Sequence, residues 1–122
     1  MLPSIKMNSR QTDSSVRLVL RFGETEFTLG DGEATSATLG RADENNLVVK
    51  GKLISRVHAR VEYKKNHFML IDESTNGTFV IRSDGEEFYV RRDSQELSGK
   101  GTIGLGKAAK PGTSLAIDYE IS

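Results

Sequence analysis

ISRVHARV, residues 54–61, carries two patterns at once. Val57, Ala59 and Val61, with Tyr63 two positions on, recur at every second residue, the period of a strand with one buried face. Ser55, Arg56 and His58 crowd the start of the same segment, where a strand meets a loop. Moving outward, the alternation repeats at Val16, Leu18, Leu20 and Phe22, with Arg17 and Arg21 between them. It returns around Phe27 and Leu29, at Leu47 and Val49, Phe68 and Leu70, Phe88 and Val90, Ile103 and Leu105, and Leu115, Ile117, Tyr119 and Ile121. Further strands are expected to end at Leu39 and to start at Thr78 and Phe79, with Phe79 in the core. Gly30-Asp31-Gly32, Lys64-Lys65-Asn66, Ser83-Asp84-Gly85 and Pro111-Gly112 supply turn chemistry between these runs. No helical stripe persists, so the chain is all-β: a two-sheet sandwich or a barrel whose binding residues sit on loops at one end.

The 122 residues suit one domain with a core large enough to need no covalent staple. Cysteine is absent, which excludes disulfides, thiolate metal sites and thiol nucleophiles. Lys plus Arg and Asp plus Glu both number 17, so the chain lacks the basic excess of a general nucleic-acid binder. The charge is unevenly placed: residues 24–44 hold six acids and one arginine, residues 50–65 six bases and one acid. An anion would be drawn to the second region. The opening MLPSIKMNSR has neither a signal-peptide apolar run nor a membrane span, so a cytoplasmic domain or a piece of a larger cytoplasmic protein is expected, with no membrane partner. Residues 1–15 read as a polar tail or linker remnant and residues 16–122 as the domain. Thr12, in Arg10-Gln11-Thr12-Asp13, is a conceivable kinase site within plain polar sequence.

Three features need one explanation: Gly40-Arg41 after a strand, Ser55-x-x-His58 before one, and DESTNGTF at 72–79 between two more. Strand ends on one side of a sandwich meet in space, so Arg41, Ser55 and Asn76 would line one loop surface. A guanidinium fork, a hydroxyl and a side-chain amide give donors in excess, which suits a tetrahedral anion on a peptide. The Asn76-Gly77 pair suits a tight turn with Asn76 at its apex. A Ser55–His58 nucleophile pair would need an orienting acid and an oxyanion hole. Asp72 and Glu73, the nearby acids, are expected to face the peptide. His58 and His67 are the only histidines and no cysteine assists them, so neither a metal nor another cofactor is expected. GKGTIGLG at 99–106 spells a dinucleotide-like glycine pattern but continues an alternating strand, and Ala108 stands where a phosphate loop needs Ser or Thr.

LGR at 39–41, SRVHA at 55–59 and STNGTF at 74–79, in that order, resemble the forkhead-associated (FHA) domain. The resemblance covers roughly Val16 to Ile121, and the glycine-rich segment 99–110 resembles bacterial signalling members. It implies an FHA/SMAD-like β-sandwich of about eleven strands in two sheets, non-catalytic, which binds phosphothreonine peptides through loops at one end. It implies that Arg41 grips the phosphate, that Ser55 bonds a second oxygen and that Arg56 adds a contact. Thr75 would stand beside the phosphate and Asn76 would hold the peptide main chain, with Gly40, His58 and Gly77 as structural support. Leu53, two before the motif serine, would read an apolar residue three places after the phosphothreonine. Lys50, Lys52, Arg56 and Arg60 would steer acidic flanks. Asn46 departs from the family's usual aspartate, which bears on loop scaffolding. The implied partner is a phosphothreonine protein made by an upstream Ser/Thr kinase. The alternatives are a phosphate-independent interaction domain and, third, a serine–histidine hydrolase.

Overall fold

The structure, a computed structural model, describes residues 16–122. The Thr12 site lies outside the described residues. Eleven strands follow in order among them: β1 (Arg17–Phe22), β2 (Thr25–Gly30), β3 (Ser36–Gly40), β4 (Leu47–Val48), β5 (Ala59–Lys64), β6 (His67–Asp72), β7 (Thr78–Arg82), β8 (Glu87–Val90), β9 (Ser94–Leu97), β10 (Lys100–Leu105) and β11 (Ile117–Ile121). They form a six-stranded sheet, β2-β1-β11-β10-β7-β8, and a five-stranded sheet, β4-β3-β5-β6-β9. All pairings are antiparallel except β3 with β4. The fold is the expected all-β sandwich.

Period-two alternation fixes which face each strand buries. On β1, Leu18 and Leu20 are fully buried, and their register sets them against Leu29 and Phe27 of β2 and against Ile121 and Tyr119 of β11. Ala59 and Val61 of β5, Phe68 and Leu70 of β6, and Ile103 and Leu105 of β10 close the core from both sheets. The Lys65 and Asn66 backbones both take positive φ (54° and 66°), as a two-residue hairpin between right-twisted strands requires.

The sequence reading needs correction at five places. Val57 lies outside β5 and is 41% exposed, because the chain before Ala59 belongs to a loop anchored by His58 N donating to Leu39 O at 2.8 Å. Leu115 is likewise exposed and precedes β11, since two successive turns occupy residues 110–116. Phe79 is half-buried on the outer face, its ring 4.7 Å from that of Tyr89; Thr78 and Val80 point inward instead. Asn76-Gly77 turns the chain with Gly77 at φ +87°, but within a crossing between sheets instead of a hairpin, because β6 and β7 belong to different sheets and residues 73–77 cross between them. β9, Ser-Gln-Glu-Leu, gives almost no apolar alternation and is held by its pairing with β6.

The glycine-rich strand is explained by packing. A Cβ on Gly101 would lie 2.8 Å from Arg82 Cα, and one on Gly104 would lie 2.7 Å from Ala109 N. Both positions are close backbone approaches, which is the reason for glycine there.

Register places the ends that matter on one side. Leu39 pairs with Ala59, Ala59 with Asp72, and Thr78 with both Val90 and Leu105. The loops 41–46, 50–58, 73–77, 91–93 and 106–116 therefore leave the sandwich at the same end.

Candidate functional site

Arg41, Lys52, Leu53, Ile54, Ser55, Thr75 and Asn76 line one open hollow of about 260 Å³ at that end. Of the residues singled out in the sequence, Arg41, Ser55, Thr75, Asn76 and Leu53 are thus brought together. Arg41 is exposed, and its Nε donates to Ile54 O at 2.8 Å. That bond orients the guanidinium and spares its two terminal nitrogens, and no acidic side chain pairs with it among the described residues. Ser55 Oγ accepts from Thr75 N at 3.3 Å, so the hydroxyl proton remains available to an acceptor. Asn76 Nδ2 donates to Leu53 O at 3.0 Å, joining the two loops across the hollow. Thr75 is exposed beside them, and Leu53 is 45% exposed on the rim.

Arg56 is not among the lining residues. Its side chain is exposed, and its carbonyl accepts from Ala42 N at 3.1 Å and from Asn45 Nδ2 at 2.7 Å. The steering cluster is also smaller than expected. Lys50 donates to Arg41 O and pairs with Asp43 at 2.8 Å, and Arg60 is engaged by Glu62 and Glu73. Lys52 and Arg56 are the members that no acid pairs among the described residues.

Beneath the loops lies a scaffold that explains the remaining motif letters. His58 is fully buried; its Nδ1 accepts from Ser55 N at 3.0 Å and its Nε2 lies 2.7 Å from Gly77 O. An acceptor Nδ1 requires the neutral tautomer with the proton on Nε2, which donates to that carbonyl. One ring therefore ties the Ser55 loop to the 73–77 loop. Both nitrogens are committed to the backbone, so His58 has no lone pair for the Ser55 hydroxyl, and the nucleophile-pair reading fails. Gly40 lets the 56–58 chain pass close: a Cβ there would stand 2.9 Å from His58 N. Gly77 takes φ +87° with the Tyr89 ring against it, so a side chain is excluded twice over. Asn46 Oδ1 accepts from Thr38 N at 2.8 Å, which an aspartate would do equally well.

Asp72 and Ser74 also support the loops. Asp72, expected to face a peptide, is instead buried at the end of β6. Its carboxylate accepts from Ser74 N, Ser74 Oγ, Thr78 Oγ1 and Arg92 N at 2.6–3.1 Å. Burial alone would raise its pKa, but these donors outweigh burial and hold it below the ordinary 3.8. Ser74 Oγ then accepts from Gly77 N at 2.7 Å. From the other side, Arg92 Nε, Arg91 Nε and the Tyr89 hydroxyl donate to the successive carbonyls of Ser74, Thr75 and Asn76 at 2.9–3.1 Å. Their only sequence signal was proximity to a strand end. Such neutral-acceptor bonds are each worth about 0.5–1.5 kcal/mol net. Tyr89→Phe combined with Arg91→Ala should therefore weaken peptide binding about threefold to tenfold and lower Tm by several degrees. Unchanged titration curves would show that the loop needs no clamp.

Burial lowers the His58 pKa below 6.5, against the opposing pulls of the Gly77 carbonyl and of Asp72. The unfolded chain then binds the proton more readily. Stability is complete above about pH 6.5 and is lost as the pH falls through the lower folded value. Tm should decline from pH 7 toward pH 5 more steeply in the wild type than in His58→Gln. Parallel slopes would contradict this account of the ring.

A family model described as the FHA domain matches residues 37–106, more than half of the chain and every residue lining the hollow. The chain belongs to the FHA family. FHA domains are non-catalytic modules that bind phosphorylated peptides. Solved structures agree in fold. The first FHA domain of Mycobacterium tuberculosis Rv1747 is 21% identical over 89% of this chain and 99% of its own, with a TM-score of 0.64. An FHA domain from a study of phosphothreonine-dependent FHA interactions is 22% identical over 88% of this chain and 95% of its own (TM-score 0.55). Mycobacterium tuberculosis EmbR in complex with a low-affinity phosphopeptide is 18% identical over 88% of this chain and 24% of its own (TM-score 0.57). At these identities the likeness is one of fold. No curated protein matches the chain by sequence.

Proposed function

We propose that this FHA domain recognises phosphothreonine peptides at the 260 Å³ hollow, as a phosphorylation-dependent protein-interaction module acting in the cytoplasm on products of a Ser/Thr kinase. The observation that carries the reading is the lining itself: two cations, Arg41 and Lys52, with Ser55, Thr75 and Asn76 and no carboxylate. The terminal nitrogens of Arg41 would grip two phosphate oxygens, and the Ser55 hydroxyl would donate to another. The second Nδ2 hydrogen and the Oδ1 of Asn76 would hold the peptide main chain. Leu53 would meet the residue three places after the phosphothreonine, favouring an apolar one. Arg56 would contribute long-range attraction, since its side chain does not line the hollow.

Titration calorimetry with one peptide in phosphothreonine, phosphoserine and unmodified forms tests this. The bare peptide should not bind measurably. Loss of the threonine methyl costs about 0.8 kcal/mol by burial, so phosphoserine should bind about fourfold more weakly. Equal affinity for the phosphorylated and bare peptides would refute the reading.

A further inference from the structure

The loop after β10 builds a second hollow that the phosphate site does not use. Leu105, Lys107, Ala108, Ala109, Lys110, Thr113, Ser114 and Leu115 enclose about 330 Å³. The sequence explains its shape. Gly106 turns the chain at φ +82°, and Gly104, with no side chain, lets the backbone at Ala109 fold back against β10. Thr102 Oγ1 then donates to Ala109 O at 3.0 Å, and turns close from Thr113 N to Lys110 O and from Ala116 N to Thr113 O, both at 3.2 Å. The hollow is therefore preformed, with little ordering left for a ligand to impose.

Its chemistry is amphipathic. Leu105 and Ala109 form an apolar floor, and Leu115 stands 38% exposed at the rim, so that three apolar side chains line the same hollow. Lys107 and Lys110 flank them, both exposed and paired with no acid among the described residues. The hollow also adjoins the phosphate site. Gly106 N donates to Gly77 O at 2.9 Å, and a Cβ on Gly106 would press within 2.8 Å of the Leu53 backbone. Leu53 lines the first hollow and Leu105 the second, so only the width of Gly106 separates them.

Resting on the phosphothreonine reading, we propose that the 105–115 hollow is a second peptide subsite, which takes an apolar side chain flanked by acidic residues on the same phosphoprotein. An apolar group would cover the Leu105–Leu115 surface while carboxylates meet Lys107 and Lys110. The phosphate would supply phosphorylation dependence and this subsite would supply selectivity among phosphothreonine sequences. The two contacts reinforce each other because one chain carries both.

The test is a synthetic library with a fixed phosphothreonine core and randomised flanks, selected on the intact protein. An extended peptide covers ~3.3 Å per residue, so flanks of about eight residues cross this end of the domain. Wild type should enrich an apolar residue next to acids in one flank, and the selected long peptide should bind about tenfold tighter than its short core. The double variant Lys107→Glu, Lys110→Glu and the single variant Leu115→Glu alter exposed side chains, so both should melt like wild type. Each should bind the short core normally and lose the gain from the flank. Equal binding of long and short peptides by wild type, or a gain that survives charge reversal, overturns the second subsite alone. A short core that binds without regard to its phosphate overturns the phosphothreonine reading, and the subsite falls with it.

Discussion

Replacing Arg41 with alanine should weaken binding of a phosphothreonine peptide by about 2–5 kcal/mol, roughly 30-fold to several thousand-fold, with little change in Tm. The size of the loss follows from charge. A phosphate near pH 7 carries about −1.5 to −2 charges and three strong acceptors, and each charge-assisted bond is worth about 1.5–3 kcal/mol. The asymmetry between binding and stability follows from position. Arg41 is exposed, and its one internal bond, Nε to the Ile54 carbonyl, serves to aim the fork rather than to hold the core. Arg41→Lys should recover only part of the loss, because an ammonium keeps the charge but not the bidentate geometry. Peptides carrying aspartate or glutamate in place of phosphothreonine should resemble the Arg41→Ala case, since a planar, singly charged carboxylate offers the same fork fewer oxygens. Calorimetry and thermal melts on the same samples separate the effects, and an Arg41→Ala protein that binds normally would remove the guanidinium from the site.

The second large effect is on stability. Asp72→Ala strands Ser74 N and Arg92 N, and unties the hydroxyls of Ser74 and Thr78, all of which now donate to one buried carboxylate. Leaving buried donors unmet costs about 1–3 kcal/mol each, and with the hydroxyls free to turn elsewhere the sum should be about 3–5 kcal/mol. For a domain of this size that is a fall in Tm on the order of 10–20 °C. Asp72→Asn should be nearly as damaging, because its NH2 would face a donor. Peptide affinity should fall as well, since the same carboxylate fixes the loop that carries Thr75 and Asn76. The Asp72 pKa is held below 3.8 in the fold, so its contribution persists above that value and is lost as the pH drops through the folded pKa. An Asp72→Ala melt within a degree or two of wild type would show that the network is not a support.

The sheets were legible because alternation is a local property. Leu18 and Leu20, or Val61 with Ala59, announce a buried face without reference to any partner. What failed was set at a distance. Ser-Gln-Glu-Leu becomes β9 only because β6 offers it an edge, and Val57 leaves its strand because His58 and Leu39 draw the chain into a loop. Asn76-Gly77 carries the letters of a hairpin, but its flanking strands join different sheets, which no local pattern records. The hollow shows the same division. Arg41, Ser55 and Asn76 advertise donor chemistry by residue type, whereas Asp72 and the clamp of Tyr89, Arg91 and Arg92 act through backbone carbonyls and have no compositional signature. Lys50 and Arg60 mislead in the opposite direction, because their charge is consumed by Asp43, Glu62 and Glu73.

The central claim is that separate strand-end loops share one phosphoryl group, and amide-resolved NMR during titration with a phosphothreonine peptide tests it most directly. The resonances of Arg41, including its side-chain Nε, should shift in concert with those of Ser55, Thr75 and Asn76, saturating at one ligand, while the Lys65–Asn66 turn at the far end stays still. Shifts centred on that turn, or a moving Ser55 beside an unmoved Arg41, would contradict it.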